Sequence, residues 1–104
     1  MKAFEVLAEP TRRQIVELLA EGERSAGEIA SHFSTSRPGI SRHLRVLREH
    51  GLVNAREEAQ RRLYSLDPAP LEELDEWLQR YRSFWANRLD ALDTEIRRRR
   101  KTST

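Results

Sequence analysis

The stretch SRPGISRHLRVLREHGLV, Ser36 to Val53, threads Arg37, Arg42, Arg45 and Arg48 through one short helix-like run with a single carboxylate, Glu49. A guanidinium is a planar fork. It can donate two parallel bonds to guanine O6 and N7, or clamp a phosphate, in a geometry that lysine cannot match. Four of them in one segment point to gripping a polyanion rather than to making or breaking bonds. Ser36 and Ser41 with His43 superficially resemble a nucleophile and its base, but no acid is at hand to orient the histidine. His43 falls beside the apolar stripe of its own helix, which suits a packed, hydrogen-bonded side chain better than a ligand or base, and His32 and His50 are similarly isolated. With no cysteine in the chain, disulfides and thiolate metal or redox chemistry are excluded. The residues predict a binding protein: no enzyme, no cofactor and no metal site.

Charge layout sharpens this. The net charge of the 104 residues is only +2. Residues 97–101, RRRRK, hold five positive charges, which leaves 14 basic against 17 acidic residues in 1–96, a net of −3. Within that acidic body, Arg37 to Arg62 holds seven arginines against Glu49, Glu57 and Glu58, a local net of +4. A concentrated basic footprint of this kind suits nucleic acid. No apolar run approaches the ~20 residues that cross a bilayer. The N-terminal MKAFEVLAEP lacks the basic-then-apolar layout of a signal peptide. A cytoplasmic protein without membrane contact is expected.

The elements that must position the arginines are legible. A short helix near Lys2 to Ala8 presents Phe4 and Leu7. Pro10 opens a second helix, with Glu9 as its cap and Ile15, Leu18 and Leu19 on one side, ending near Gly22. Ser25 followed by Glu28 is a capping-box pattern and predicts a third helix over 26–32, with Ile29 and Phe33 as core contacts. Ser36 caps the fourth helix, Ile40, Leu44 and Leu47 recur at helical spacing, and Gly51 supplies a left-handed stop. Residues 52–56 and 62–66 read as two strands of a hairpin whose turn lacks Asn-Gly or Asp-Gly. Asp67 and Pro68 begin a long last helix.

That last helix carries Leu71, Leu74, Leu78, Tyr81, Trp85, Leu89, Leu92 and Ile96 in an arc of about 80°, with Trp77, Phe84 and Ala91 beside it. Read as one continuous helix over 71–96 it would extend about 38 Å, longer than a small core can cover. A partner must cover the rest; the aromatic residues could instead line a ligand pocket, but at this spacing they read as core or interface. Phe4, Leu7, Leu78, Tyr81, Trp85, Leu89 and Leu92 are the candidate interface contacts. The domain is expected over 1–96, followed by a basic, disordered tail over 97–104.

The order of four helices, a hairpin and a last helix is that of a mainly α winged helix-turn-helix, in which the second helix of the pair enters the major groove. With Ile40 at 0° on a wheel, Arg42 and Arg45 fall at about 200° and 140°, opposite the core stripe, and Arg37 and Ser41 lie on the flank. The helix N-terminus at Ser36 suits a phosphate oxygen. Gln60, Arg61 and Arg62 sit at the hairpin tip, within reach of the adjacent minor groove or backbone.

The segments EPTRRQIVELL, SRPGISRHLRVLREHGLV and RRLYSL resemble the ArsR/SmtB group of bacterial winged-helix repressors, and the resemblance covers residues 4–96. It implies a homodimer joined through the terminal helices, bound to an imperfect inverted repeat near a promoter and blocking transcription. It further implies Ser36, Arg37, Ser41 and Arg42 as groove-reading positions and Arg61 and Arg62 as wing positions. Where metal-sensing members carry a cysteine pair this chain has Ser25 and Ala26. The last helix holds Asp75, Asp90, Asp93 and Glu95 but no histidine, so the resemblance is to the metal-independent members. The other open reading is a winged-helix module that binds protein instead of duplex DNA, because fold alone does not set function.

Overall fold

The computed structural model describes residues 2–102 of the chain. Helix α1 spans Lys2–Leu7 and α2 spans Pro10–Ala20. Glu9 turns the corner between them. Its Oε2 accepts the Arg12 backbone N–H at 2.8 Å, as the cap position predicts. Arg12 Nε in turn donates to the Val6 carbonyl at 2.8 Å and Arg13 Nη1 to the Leu7 carbonyl at 3.4 Å, so two arginines satisfy the open end of α1.

A strand of two residues, β1 (Arg24–Ser25), leads into α3 (Ala26–Ala30), two residues shorter than the sequence suggests. Both halves of the expected capping box form: Glu28 N–H donates to Ser25 Oγ, and Ser25 N–H donates to Glu28 Oε1, each at 3.2 Å. After a turn comes α4 (Arg37–Glu49), capped by Ser36 Oγ, which accepts from Gly39 N–H at 3.3 Å. Gly51, at φ 74°, ends it. Gly51 N–H bonds the Arg48 carbonyl at 3.0 Å and Leu52 N–H the Leu47 carbonyl at 2.9 Å, the paired bonds of a Schellman stop that a side chain at Gly51 would strain.

Strands β2 (Val53–Glu58) and β3 (Arg61–Leu66) pair antiparallel with Glu58 opposite Arg61, leaving Ala59 and Gln60 as a two-residue turn. Ala59 takes a left-handed φ of 55°, the conformation a tight hairpin demands even where no glycine is present. The sheet has three strands in the order β1-β3-β2, with Arg24 opposite Tyr64 and Ser25 opposite Leu63. A two-residue strand carries no periodicity of its own, so β1 is visible only through its partner.

Ile15, Ile29, Ile40, Leu44, Leu47 and Leu52 are fully buried, and no polar side chain is buried with them among the described residues. Leu7 and Leu18 pack at the edge of this core. In α1 the fully covered residues are Ala3 and Val6, while Phe4 stays exposed.

The chain falls into two compact units, Met1–Leu74 and Asp75–Thr104, where the sequence reads as one domain and a tail. The expected continuous last helix is two helices, α5 (Ala69–Gln79) and α6 (Arg82–Thr102). Arg80, Tyr81 and Phe84 N–H groups bond the carbonyls of Trp77, Leu78 and Tyr81, three residues back instead of four. Trp77 and Tyr81 rings lie 4.8 Å apart and Tyr81 and Phe84 rings 6.4 Å apart, so an aromatic cluster gathers at the break. The apolar stripe survives such a tightened turn because near neighbours stay on one side. Periodicity alone therefore hides it. The basic run expected to be disordered continues α6 to Thr102, while Ser103 and Thr104 lie outside the described residues. Asp93 pairs with Arg97, and Glu95 with Arg98 and Arg99, one turn apart. Cations also suit a helix C-terminus.

Candidate nucleic-acid interface

The core holds α4 by Ile40, Leu44 and Leu47, which turns its opposite face outward. Between that face and β3 lies an open cleft of about 590 Å³, lined by Pro38, Ser41, Arg42, Arg45, Arg48, Arg62 and Tyr64. Four guanidinium groups thus converge from two elements. Arg37, Arg42 and Arg48 make no ion pair among the described residues, and Arg45 has only Glu49 at 4.0 Å. Concave walls with one sign of charge concentrate the field on an incoming anion.

Of the residues expected to bind, the cleft brings together Ser41, Arg42, Arg45 and Arg62. Ser36 stands at the N-terminus of α4 as its cap. Arg37 lies over α3, where a Cβ added to Gly27 would come within 3.1 Å of Arg37 Nη2. Gln60 and Arg61 are at the hairpin tip, outside the cleft, lining a shallow hollow with Glu57, Ala59 and Arg62. Pro38, Arg48 and Tyr64 line the cleft as well: Arg48 belongs to the basic segment but not to the expected contacts, and Tyr64 escaped the sequence reading. Arg48 lies one turn after Arg45, and Tyr64 lies two residues after Arg62 on the same strand face. Helical spacing places Arg48 with Arg45; Tyr64 needed the meeting of α4 and β3.

The hairpin arginines differ from those of α4. Arg56, counted above in the basic footprint, is bound by Glu23 through two bonds of 2.7 and 3.0 Å, with Glu58 at 3.3 Å. Those bonds hold the Glu23 carboxyl below its usual range and push Arg56 up. Arg61 lies 3.8 Å from Glu28, and Arg62 lies 3.9 Å from Glu57. Glu28 is also held below the usual range, first by the Ser25 backbone and hydroxyl and then by Arg61 and Arg24.

The histidines sit in structural roles. His32 and His50 each donate from Nδ1 to the carbonyl four residues back, Glu28 and Val46, at 2.9 and 2.8 Å. His43 is half-buried, 3.8 Å from Glu9. No helix among the described residues is long and apolar enough to cross a membrane.

Residues 9–55, which run from the cap of α2 through α4 into β2, match the family model described as bacterial regulatory protein, arsR family. The chain is 44% identical over 88 residues to the HTH-type transcriptional regulator Rv2034 of Mycobacterium tuberculosis, covering 85% of this chain and 79% of that protein. It is 37% identical over 75 residues to the transcriptional repressor SdpR of Bacillus subtilis, covering 72% of this chain and 83% of the repressor. A crystal structure described as a possible transcriptional regulator for arsenical resistance superposes with a TM-score of 0.70 at 46% identity, over 84% of this chain and 91% of that one. The chain belongs to the arsR family of bacterial winged helix-turn-helix transcriptional regulators.

Proposed function

We propose that the protein is a homodimeric repressor in the cytoplasm that binds an inverted-repeat operator on double-stranded DNA. The N-terminal half of α4 enters the major groove, with Ser36, Arg37, Ser41, Arg42 and Arg45 toward bases and phosphates. Arg61, Arg62 and Gln60 follow the adjacent backbone or minor groove. One observation carries this reading: Arg42, Arg45, Arg48 and Arg62 line a single cleft beside the exposed face of α4, and Arg42 and Arg48 have no carboxylate partner among the described residues. A second copy, paired along the apolar face of α6, supplies the other half-site reader. The response is independent of the Cys and His metal sites used elsewhere in the family, since the chain has no cysteine and its last helices no histidine.

The test is a mobility shift with the region upstream of the protein's own gene, at ~50 and ~200 mM salt. Binding should weaken steeply with salt. Arg42→Ala should weaken it about 5- to 150-fold, the value of one bidentate base contact, with an unchanged melting curve. A loss of less than a few-fold would remove Arg42 from the interface. Failure to bind any duplex would favour the protein-binding module instead.

A further inference from the structure

Two cleft residues have no role in the reading so far, Arg48 and Tyr64. Tyr64 lies on β3 with Arg24 opposite it in β1 and Ala55 opposite it in β2, and at 7% exposure it packs in the core. It also lines the cleft. Its hydroxyl has no hydrogen-bond partner among the described residues, yet it is not sealed from solvent. A fixed ring thus holds an unused donor at the cleft wall. Arg48, exposed in the last turn of α4, lines the same cleft with no carboxylate partner among the described residues. Arg62, two residues before Tyr64 on the same strand face, has only Glu57 at 3.9 Å.

The length of α4 selects the part of a duplex that meets these groups. Arg48 stands eleven residues beyond Arg37, about 16 Å along the axis. That is farther than the major groove is deep, about 8.5 Å, or wide, about 12 Å. With the N-terminal turn of α4 at base edges, Arg48 lies at the rim, over the sugar-phosphate backbone. Resting on the DNA-binding reading above, we infer that Arg48, Arg62 and Tyr64 form a backbone-phosphate site that seats α4 without reading sequence. Donors from two elements converge on one anion, and two of them are guanidinium groups that suit its oxygens. Arg42, about 9 Å nearer the N-terminus than Arg48, stays with base edges. Phosphate contacts set register and base contacts discriminate, so the cleft divides the two tasks along its length. The Tyr64 hydroxyl gives the site a fixed reference, because a ring already held by the core loses little freedom when it binds.

The experiment measures affinity of the full chain for a random-sequence duplex and for its tightest selected duplex, by fluorescence anisotropy across a salt series. Tyr64→Phe keeps the ring in the core and removes only the hydroxyl. It should leave the melting curve unchanged and weaken both duplexes by the same factor, about tenfold per protomer, the value of a hydrogen bond to a charged group. Its salt slope should hold, because no charge is removed. Arg48→Ala should weaken both duplexes alike and flatten the slope by about 0.9 per protomer, the counterions of one phosphate. Arg48→Lys should restore that slope and most of the affinity, since a phosphate accepts a point charge where the paired acceptors of guanine need a fork. Arg42→Ala, by contrast, should weaken the selected duplex far more than the random one. A loss below about threefold for Tyr64→Phe or Arg48→Ala, a loss confined to the selected duplex, or a slope that Arg48→Lys leaves flat would overturn the phosphate site. If the unmodified protein ignores every duplex, the DNA-binding reading itself fails.

Discussion

On α6, Phe84 is 65% exposed, Trp85 41%, Leu89 60%, Leu92 57% and Ile96 43%. Replacing Leu89 by Asp tests whether a second copy covers this face. If each of these five side chains loses ~100 Å² of apolar surface, two copies together lose ~1000 Å², worth at most ~25 kcal/mol before the ~4–15 kcal/mol cost of association. A surplus remains, so a dimer is affordable on this face alone. Leu89→Asp places an unpaired carboxylate there at no less than ~2 kcal/mol, and two-fold symmetry repeats it, so the loss is at least ~4 kcal/mol. That corresponds to a rise in dimer Kd of about a thousandfold. Sedimentation velocity at micromolar protein should give monomers for Leu89→Asp. Asn87→Asp, about 200° round the helix, should remain dimeric. A dimer unchanged by Leu89→Asp, or lost equally with Asn87→Asp, would refute this interface.

Two stability predictions follow from local geometry. Gly51→Ala forces a side chain into φ 74° at the end of α4, so chemical denaturation should show a loss of about 1–2 kcal/mol. The second concerns pH. Glu23 and Glu28 have folded-state pKa values below the ordinary 4.5, so their contribution is complete above that value and fades as pH falls through the lowered ones. The thermal midpoint should therefore fall as pH drops below about 4.5, and Glu23→Gln should make that fall shallower; an identical fall in both proteins would exclude the Glu23–Arg56 pair as a contributor.

Local chemistry spoke plainly in this chain. The caps at Glu9, Ser25 and Ser36 and the stop at Gly51 each satisfy backbone groups within a few residues, so they are legible without any knowledge of the fold. The same holds for the division of α4 into an apolar side and an arginine side, because 100° per residue is a property of the helix alone. From these, the winged helix-turn-helix and the outward arginine face of α4 could be anticipated.

Tertiary structure decided what depends on partners distant in sequence. Strand β1 exists only because β3 lies beside it. Arg56 looked like part of the basic footprint until Glu23, more than thirty positions away, was found to bind it. Tyr64 joined the site because α4 and β3 converge on one cleft. The break between α5 and α6 followed from a change in backbone bonding that leaves side-chain order almost untouched. Periodicity reports which face a residue occupies. Which opposite charge meets it, and where a helix tightens, are set by packing in three dimensions.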